Sequence, residues 1–236
     1  MTEDKSNSGD TPSRRPFDVD ESDKLFTQAV TLHQQGKMVE AVRAYAQILS
    51  KEPRHPDIYN NLGVALRTLG KLEAAVACYR RALAYGQEAA NVYSNLGNAL
   101  RELARFEEAE AAHGRSVKLD AASPSGIYNG ALVDRDLCRD DVAMKKYDQA
   151  LEIDPDYVDC HWDRSLLLLR NGNLEEGFPE YEWRWRLSNN PPRGFKQPLW
   201  DGSDLTGKTI LLHQEQGFGD MIQFARYVPL VKEKGG

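Results

Sequence analysis

Three asparagines recur at a fixed step. Asn61, Asn95 and Asn129 stand 34 residues apart, and Asp163 takes the next step. Arg67, Arg101 and Arg135 repeat with the same period. An amide side chain offers a donor and an acceptor together, so it can grip an extended backbone whatever side chains that backbone carries. A guanidinium adds bidentate recognition of carboxylates. In an array of equivalent units, equal spacing sets such groups in a row along one surface. Metal chemistry has no comparable pattern: the five histidines are scattered, with no pair at ligand spacing beside a third partner. The three cysteines, Cys78, Cys138 and Cys160, are odd in number and lack metal-ligand spacing. They read as buried small hydrophobes in a reducing compartment.

The elements that carry the two rows are amphipathic helices. Residues 58–83, IYNNLGVALRTLGKLEAAVACYRRAL, read as two helices joined at Gly70-Lys71. Leu62-Gly63 returns as Leu96-Gly97, Tyr59 as Tyr93, Ala75 as Ala109 and Ala143, and Tyr79 as His113 and Tyr147. A fixed period in this range marks a solenoid. Gly63 and Ala75 let two helices approach closely, while Tyr59, Leu62, Leu66 and Tyr79 fill the space beside them. The stretch resembles a tetratricopeptide repeat. That resemblance implies a right-handed superhelix of helix pairs whose first helices line a concave groove. Both rows fall on first helices, so Asn61, Asn95, Asn129, Asp163, Arg67, Arg101 and Arg135 become the candidate peptide-binding residues. The asparagine row is similar to the asparagine ladder of the repeat superhelix in O-linked N-acetylglucosamine transferases. The competing reading of both rows is a merely solvated helix face.

The chain divides into four parts. Residues 1–21 are polar, hold Pro12 and Pro16, and are expected to be a disordered arm. Residues 22–187 are expected to hold about five helix pairs. Gly36 opens the first turn and Pro53 stops the second helix, while Asn91 reads as the cap of the third pair. The fourth pair departs from the pattern: Gly130-Ala131 replaces Leu-Gly, and Cys138 stands where a turn glycine is usual, which predicts looser packing. In the fifth, Arg164-Ser165 replaces Leu-Gly, Gly172 restores the turn and Gly177 the small contact. Phe178, Tyr181 and Trp185 are expected to seal the last apolar face. Residues 188–204 are a breaker-rich linker. The acidic balance, a net charge of −6, argues against nucleic acid as the main partner. With 41% hydrophobic residues, no membrane-spanning run and no secretory signal core, the chain reads as a globular cytoplasmic protein.

Residues 205–236 follow a different grammar. Leu205-Thr206-Gly207 reads as a turn, Thr209 to His213 as a buried strand, and QEQGFGD as a loop with Gly217 and Gly219. A helix follows, interrupted at Pro229. The whole is an all-α solenoid with a short strand-loop-helix start of an α/β Rossmann-like domain. LWDGSDLTGKTILLHQEQGFGDMIQFARYVPLV, Leu199 to Val231, resembles the segment after the tetratricopeptide repeats of a group of bacterial proteins. Their C-terminal domain is similar to heptosyltransferase-like glycosyltransferases of the two-Rossmann-domain type. By that resemblance Asp220 is a candidate base that deprotonates a sugar hydroxyl, with a nucleotide-sugar as donor. Its competing role is to cap the helix at Met221. One strand and one helix cannot assemble a nucleotide-sugar site, so the chain reads as the N-terminal piece of a longer protein and no cofactor is expected for it. Two functions stay open: a scaffold binding a protein or peptide segment in the groove, or the acceptor-recognition part of a glycosyltransferase.

Overall fold

The computed structural model describes residues 19–86, 88–188, 194–214 and 217–235, with side chains from Ser22 onward. It falls into two units, one ending at Leu187 and one beginning at Ser188.

The first unit holds ten α-helices in five consecutive hairpins. These are α1 Val19–Gln34 with α2 Met38–Lys51, α3 Pro56–Thr68 with α4 Leu72–Ala84, and α5 Ala90–Glu102 with α6 Phe106–Leu119. Then come α7 Pro124–Asp136 with α8 Asp140–Ile153, and α9 Val158–Arg170 with α10 Leu174–Tyr181. Each helix packs chiefly on its hairpin partner, and each second helix packs next on the first helix of the following hairpin. The arm expected over residues 1–21 lies outside the described residues up to position 18, and α1 already begins at Val19. Asn91 is not a cap: α5 starts one residue earlier, behind Ala89.

Five turns at the same step explain why the helices stop where they do. Gly36, Gly70 and Gly172 have positive φ, and Ala104 and Cys138 occupy the equivalent positions with φ 56°. In every case the next residue returns its N–H to a carbonyl five back: Lys37 to Leu32, Lys71 to Leu66, Arg105 to Leu100, Arg139 to Asp134 and Asn173 to Leu168. This is the Schellman stop, for which glycine is the unstrained residue. A side chain with a Cβ holds that conformation at a cost. Ala104→Gly is therefore expected to raise stability by about 0.5–1 kcal/mol, net of the entropy glycine adds to the unfolded chain. A thermal melt followed by circular dichroism checks it.

Packing inside the hairpins follows the small-large pairing. An added Cβ on Gly63 would lie 2.5 Å from the Tyr79 ring, and one on Gly97 would lie 2.5 Å from the His113 ring. Ala41, Ala75, Ala109 and Ala143 are all fully buried. In the fourth hairpin Ala131, Ala143 and Tyr147 are fully buried, while an added Cβ on Gly130 would meet only the end of Lys146, at 3.5 Å, a looser contact than at Gly63 or Gly97. The buried apolar residues form two clusters. One runs from Ala29 to Ala112 and includes Val133, and the other runs from Ala131 to Leu167.

The expected seal of the last hairpin forms only in part. α10 holds Pro179 in its interior, ends at Tyr181 and continues as a 3-10 turn, Glu182–Arg186. Phe178, inside α10, is 59% exposed and takes no part in the seal. Tyr181 packs on Trp162 with ring centroids 5.0 Å apart. Arg184 lies over both Tyr181 and Trp185 at 4.6 Å, and Trp183 stacks on His161 at 3.8 Å.

In the second unit, Leu205 is buried and its N–H donates to the Lys234 carbonyl at 2.7 Å. The Trp200 indole donates to the Ser203 carbonyl. Residues 209–213 do not form the expected strand, and no strand occurs among the described residues. A strand exists only through a partner that accepts and donates its ladder bonds, and none lies alongside. The strand-loop-helix start is corrected to irregular chain followed by α11, Phe218–Phe224, a 3-10 turn at Ala225–Tyr227, and α12, Val228–Glu233. Pro229 sits in the first turn of α12, so the interruption expected there is present.

Candidate functional site

The two rows lie on α3, α5, α7 and α9, and neighbouring first helices are in contact where α3 meets α5 and α5 meets α7. The side chains of the rows bond across these helices. Asn95 Nδ2 donates to Asn60 Oδ1 at 3.1 Å, and Asn129 Nδ2 donates to Ser94 Oγ at 3.0 Å. The Tyr128 hydroxyl donates to Asp163 Oδ2. Each bond joins residues 35 apart, one full repeat and one position. Asn61, Asn95, Asn129 and Asp163 are all half-buried. Burial and the Asp163 carboxylate together push the Tyr128 phenol well above the usual tyrosine range.

The arginine row is paired within the chain. Arg67 Nε donates to Glu102 at 2.7 Å, and Arg101 Nη1 donates to Asp136 at 2.7 Å. Arg135 reaches both Asp163 and Asp136. The result is a rail of alternating charge that runs from α3 to α9. A carboxylate arriving from outside meets guanidiniums that already hold one, so the row is not a set of open anion sites.

The structure sets the two rows on the same helices, joined at the Arg135–Asp163 pair, and adds members the sequence reading missed. Asn60, Ser94, Tyr128 and Trp162 form a row one position before the asparagines, and Glu102 and Asp136 supply the counter-charges. All of them keep the 34-residue step, which was the signal that could have found them.

The remaining candidates stand apart. Asp220 lies exposed in the first turn of α11, three residues past the N-cap Gly217. It does not cap the helix, and no hydrogen-bond partner converges on it among the described residues. Gly217 and Gly219 are exposed beside it, and part of their loop, residues 215–216, lies outside the described residues. Cys78 and Cys160 are buried, and burial, with the Glu180 charge second, pushes the Cys160 thiol up to about 12. Cys138 is exposed, against expectation, because its turn points it outward. No group of His, Cys, Asp and Glu fit to hold a metal occurs among the described residues, and no described helix is long and apolar enough to cross a membrane.

Comparison with known proteins places this architecture. Tetratricopeptide repeat models match residues 26–77 and 90–123, and a TPR repeat model matches residues 65–104. Protein FlbA of Caulobacter vibrioides is 37% identical over 75 residues, a segment equal to 31% of this chain and 13% of that protein. The chain thus matches only a small part of that relative's length. Among solved structures, PilF of Pseudomonas aeruginosa superposes with a TM-score of 0.62 at 23% identity, over 70% of this chain and 75% of that one. MamA of Desulfovibrio magneticus RS-1 gives 0.62 at 16% identity, over 69% and 92%. YrrB, described as a TPR protein with an unusual peptide-binding site, gives 0.55 at 17% identity, over 70% and 86%. Residues 26–123 thus match tetratricopeptide repeats, and the chain shares the helix-pair solenoid fold of these structures.

Proposed function

We propose that the surface of the first helices is the concave groove of the solenoid and binds an extended peptide or protein segment. The observation that carries this reading is the row of half-buried amides. Asn95 and Asn129 each spend one N–H on the preceding repeat, which fixes the side chain and leaves further donor and acceptor capacity for a ligand backbone. The arginines serve by holding the rail, with Asp163 at its end. An acidic ligand gains little, since it must replace Glu102, Asp136 or Asp163. Binding is therefore expected to change only slightly between about 0.05 and 0.5 M salt, a range over which screening would weaken open ion pairs strongly.

The test is affinity selection from a display library of random peptides, followed by fluorescence anisotropy on the selected sequences. Changing Asn61, Asn95 and Asn129 together to Ala is expected to weaken binding more than a hundredfold, from bonds contributing about 0.5–1.5 kcal/mol each. The links to Asn60 and Ser94 add a stability cost of about 0.5–1.5 kcal/mol apiece, so each variant is melted as well. An intact triple variant with unchanged affinity removes the groove from consideration.

A second reading makes these repeats the acceptor-recognition part of a glycosyltransferase. It is favoured by the second unit, where Leu211, Phe218, Ile222, Phe224 and Leu230 are exposed and residues 209–213 make no backbone–backbone hydrogen bond among the described residues. That surface suits packing against further strands and helices. A nucleotide-sugar belongs to this reading alone, with Asp220, Gly217 and Gly219 as its candidate loop. Loss of sugar transfer in Asp220→Asn of an extended protein would support it, and undiminished transfer would remove Asp220.

A further inference from the structure

The junction between the third and fourth hairpins breaks the pattern that holds elsewhere. Where other second helices place Tyr45, Tyr79 and Tyr147, α6 places His113. Where other first helices place Leu66, Leu100 and Leu168, α7 places Asp134. Both are buried, each 2% exposed. Asp134 is held by Lys146 of α8 and, at 3.5 Å, by Arg139. The His113 ring lies flat against Gly97, and neither ring nitrogen has a hydrogen-bond partner. Both apolar clusters draw on α7 beside Asp134, with Val133 in one and Ala131 and Leu132 in the other.

We propose that this seam is an acid-sensitive hinge, at which protonation of His113 parts the third hairpin, α5–α6, from the fourth, α7–α8, while α1–α4 stay folded. A neutral imidazole tolerates the site because it carries no charge to solvate. An imidazolium would bury two charged N–H groups with no acceptor. The charged groups facing the ring are Arg101 of α5 and Lys146 of α8, both cationic, and the one buried carboxylate of α7, Asp134, is already engaged. Burial first, then Arg101 and Lys146, hold the ring down to about 4. In the open state the ring returns to the ordinary value near 6.5. Between these values the open form binds a proton that the closed form refuses. Closure is therefore fully favoured above about 6.5 and weakens as pH falls toward about 4, with no further loss from this ring below that.

Hydrogen exchange of the whole chain, read by mass spectrometry and corrected for intrinsic rates, tests the proposal. Protection in α5–α8 is expected to fall roughly tenfold per pH unit between about 6 and 4, with α1–α4 changing far less. In His113→Phe and His113→Tyr the regional difference is expected to vanish. An unchanged pH response in a folded variant, or protection lost evenly along α1–α8, overturns the hinge. If neither variant folds, an NMR titration of the wild-type imidazoles decides. A His113 ring that titrates near 6.5 in the folded protein overturns it, and one that stays neutral until the seam opens supports it.

Discussion

Lys146→Met is expected to lower the stability of the solenoid by about 3–5 kcal/mol, the range found when one member of a buried ion pair is removed. Asp134 is almost wholly out of solvent, and its other partner, Arg139, is longer-reaching and half exposed. Without the ammonium the carboxylate is left with that one weaker contact. The Lys146 stem also covers Gly130, with carbon and nitrogen atoms 3.5–4.0 Å from where a Cβ would stand, so methionine keeps most of the apolar contact. The loss then reports charge and not volume. The double variant Asp134→Leu, Lys146→Met restores the leucine that Leu66, Leu100 and Leu168 supply at this step. It is expected to match the wild type or exceed it by about 1–4 kcal/mol, as apolar replacements of buried pairs do. Urea denaturation compares all three proteins. A single variant with the wild-type midpoint would mean the carboxylate is solvated.

Gly63→Ala and Gly114→Ala are expected to move stability in opposite directions. Both glycines lie inside helices, α3 and α6, where alanine is intrinsically better by about 0.5–1 kcal/mol. At Gly114 nothing stands within 4 Å of the new methyl, so that gain should appear in full. At Gly63 the methyl would lie 2.5 Å from one Tyr79 ring carbon and under 3 Å from two more. Tyr79 is fully buried and cannot swing aside without moving α4. Overpacking of this kind costs about 1–3 kcal/mol, which outweighs the helix preference. Thermal melts of the two variants settle the comparison. Equal shifts would mean the Tyr79 ring yields freely.

Much of this was readable from periodicity, because a repeat fold writes its contacts as residue types at one fixed step. The ten helices, the turn at Gly70 and the Gly63–Tyr79 contact all follow from the 34-residue period. Asp134 and His113 were readable as departures from it, though not their burial together. Other features depend on geometry that the period does not encode. The bonds of Asn95 to Asn60 and Arg67 to Glu102 span 35 residues, an offset set by how successive hairpins stack. The exposure of Phe178 inside α10 is a further feature that the period does not encode. The missing strand at residues 209–213 reflects a different limit: β-branched and apolar residues favour a strand only when a neighbour completes its hydrogen bonds. Asp220 was attached by resemblance alone, and its exposed setting in α11 carries no chemistry of its own.

The regular offset of those bonds bears on how such a gene changes length. Excising residues 90–123, one whole repeat, would bring Asn129 to the place of Asn95, opposite Asn60, so an amide would again face an amide. Arg67 would then meet Asp136 where it had met Glu102, and the ion pair would survive. An excision out of phase with the 34-residue step would leave neither partner in reach. Unequal recombination between repeats therefore yields proteins whose joints already fit, and selection can adjust the span of the surface in whole units without redesigning any contact.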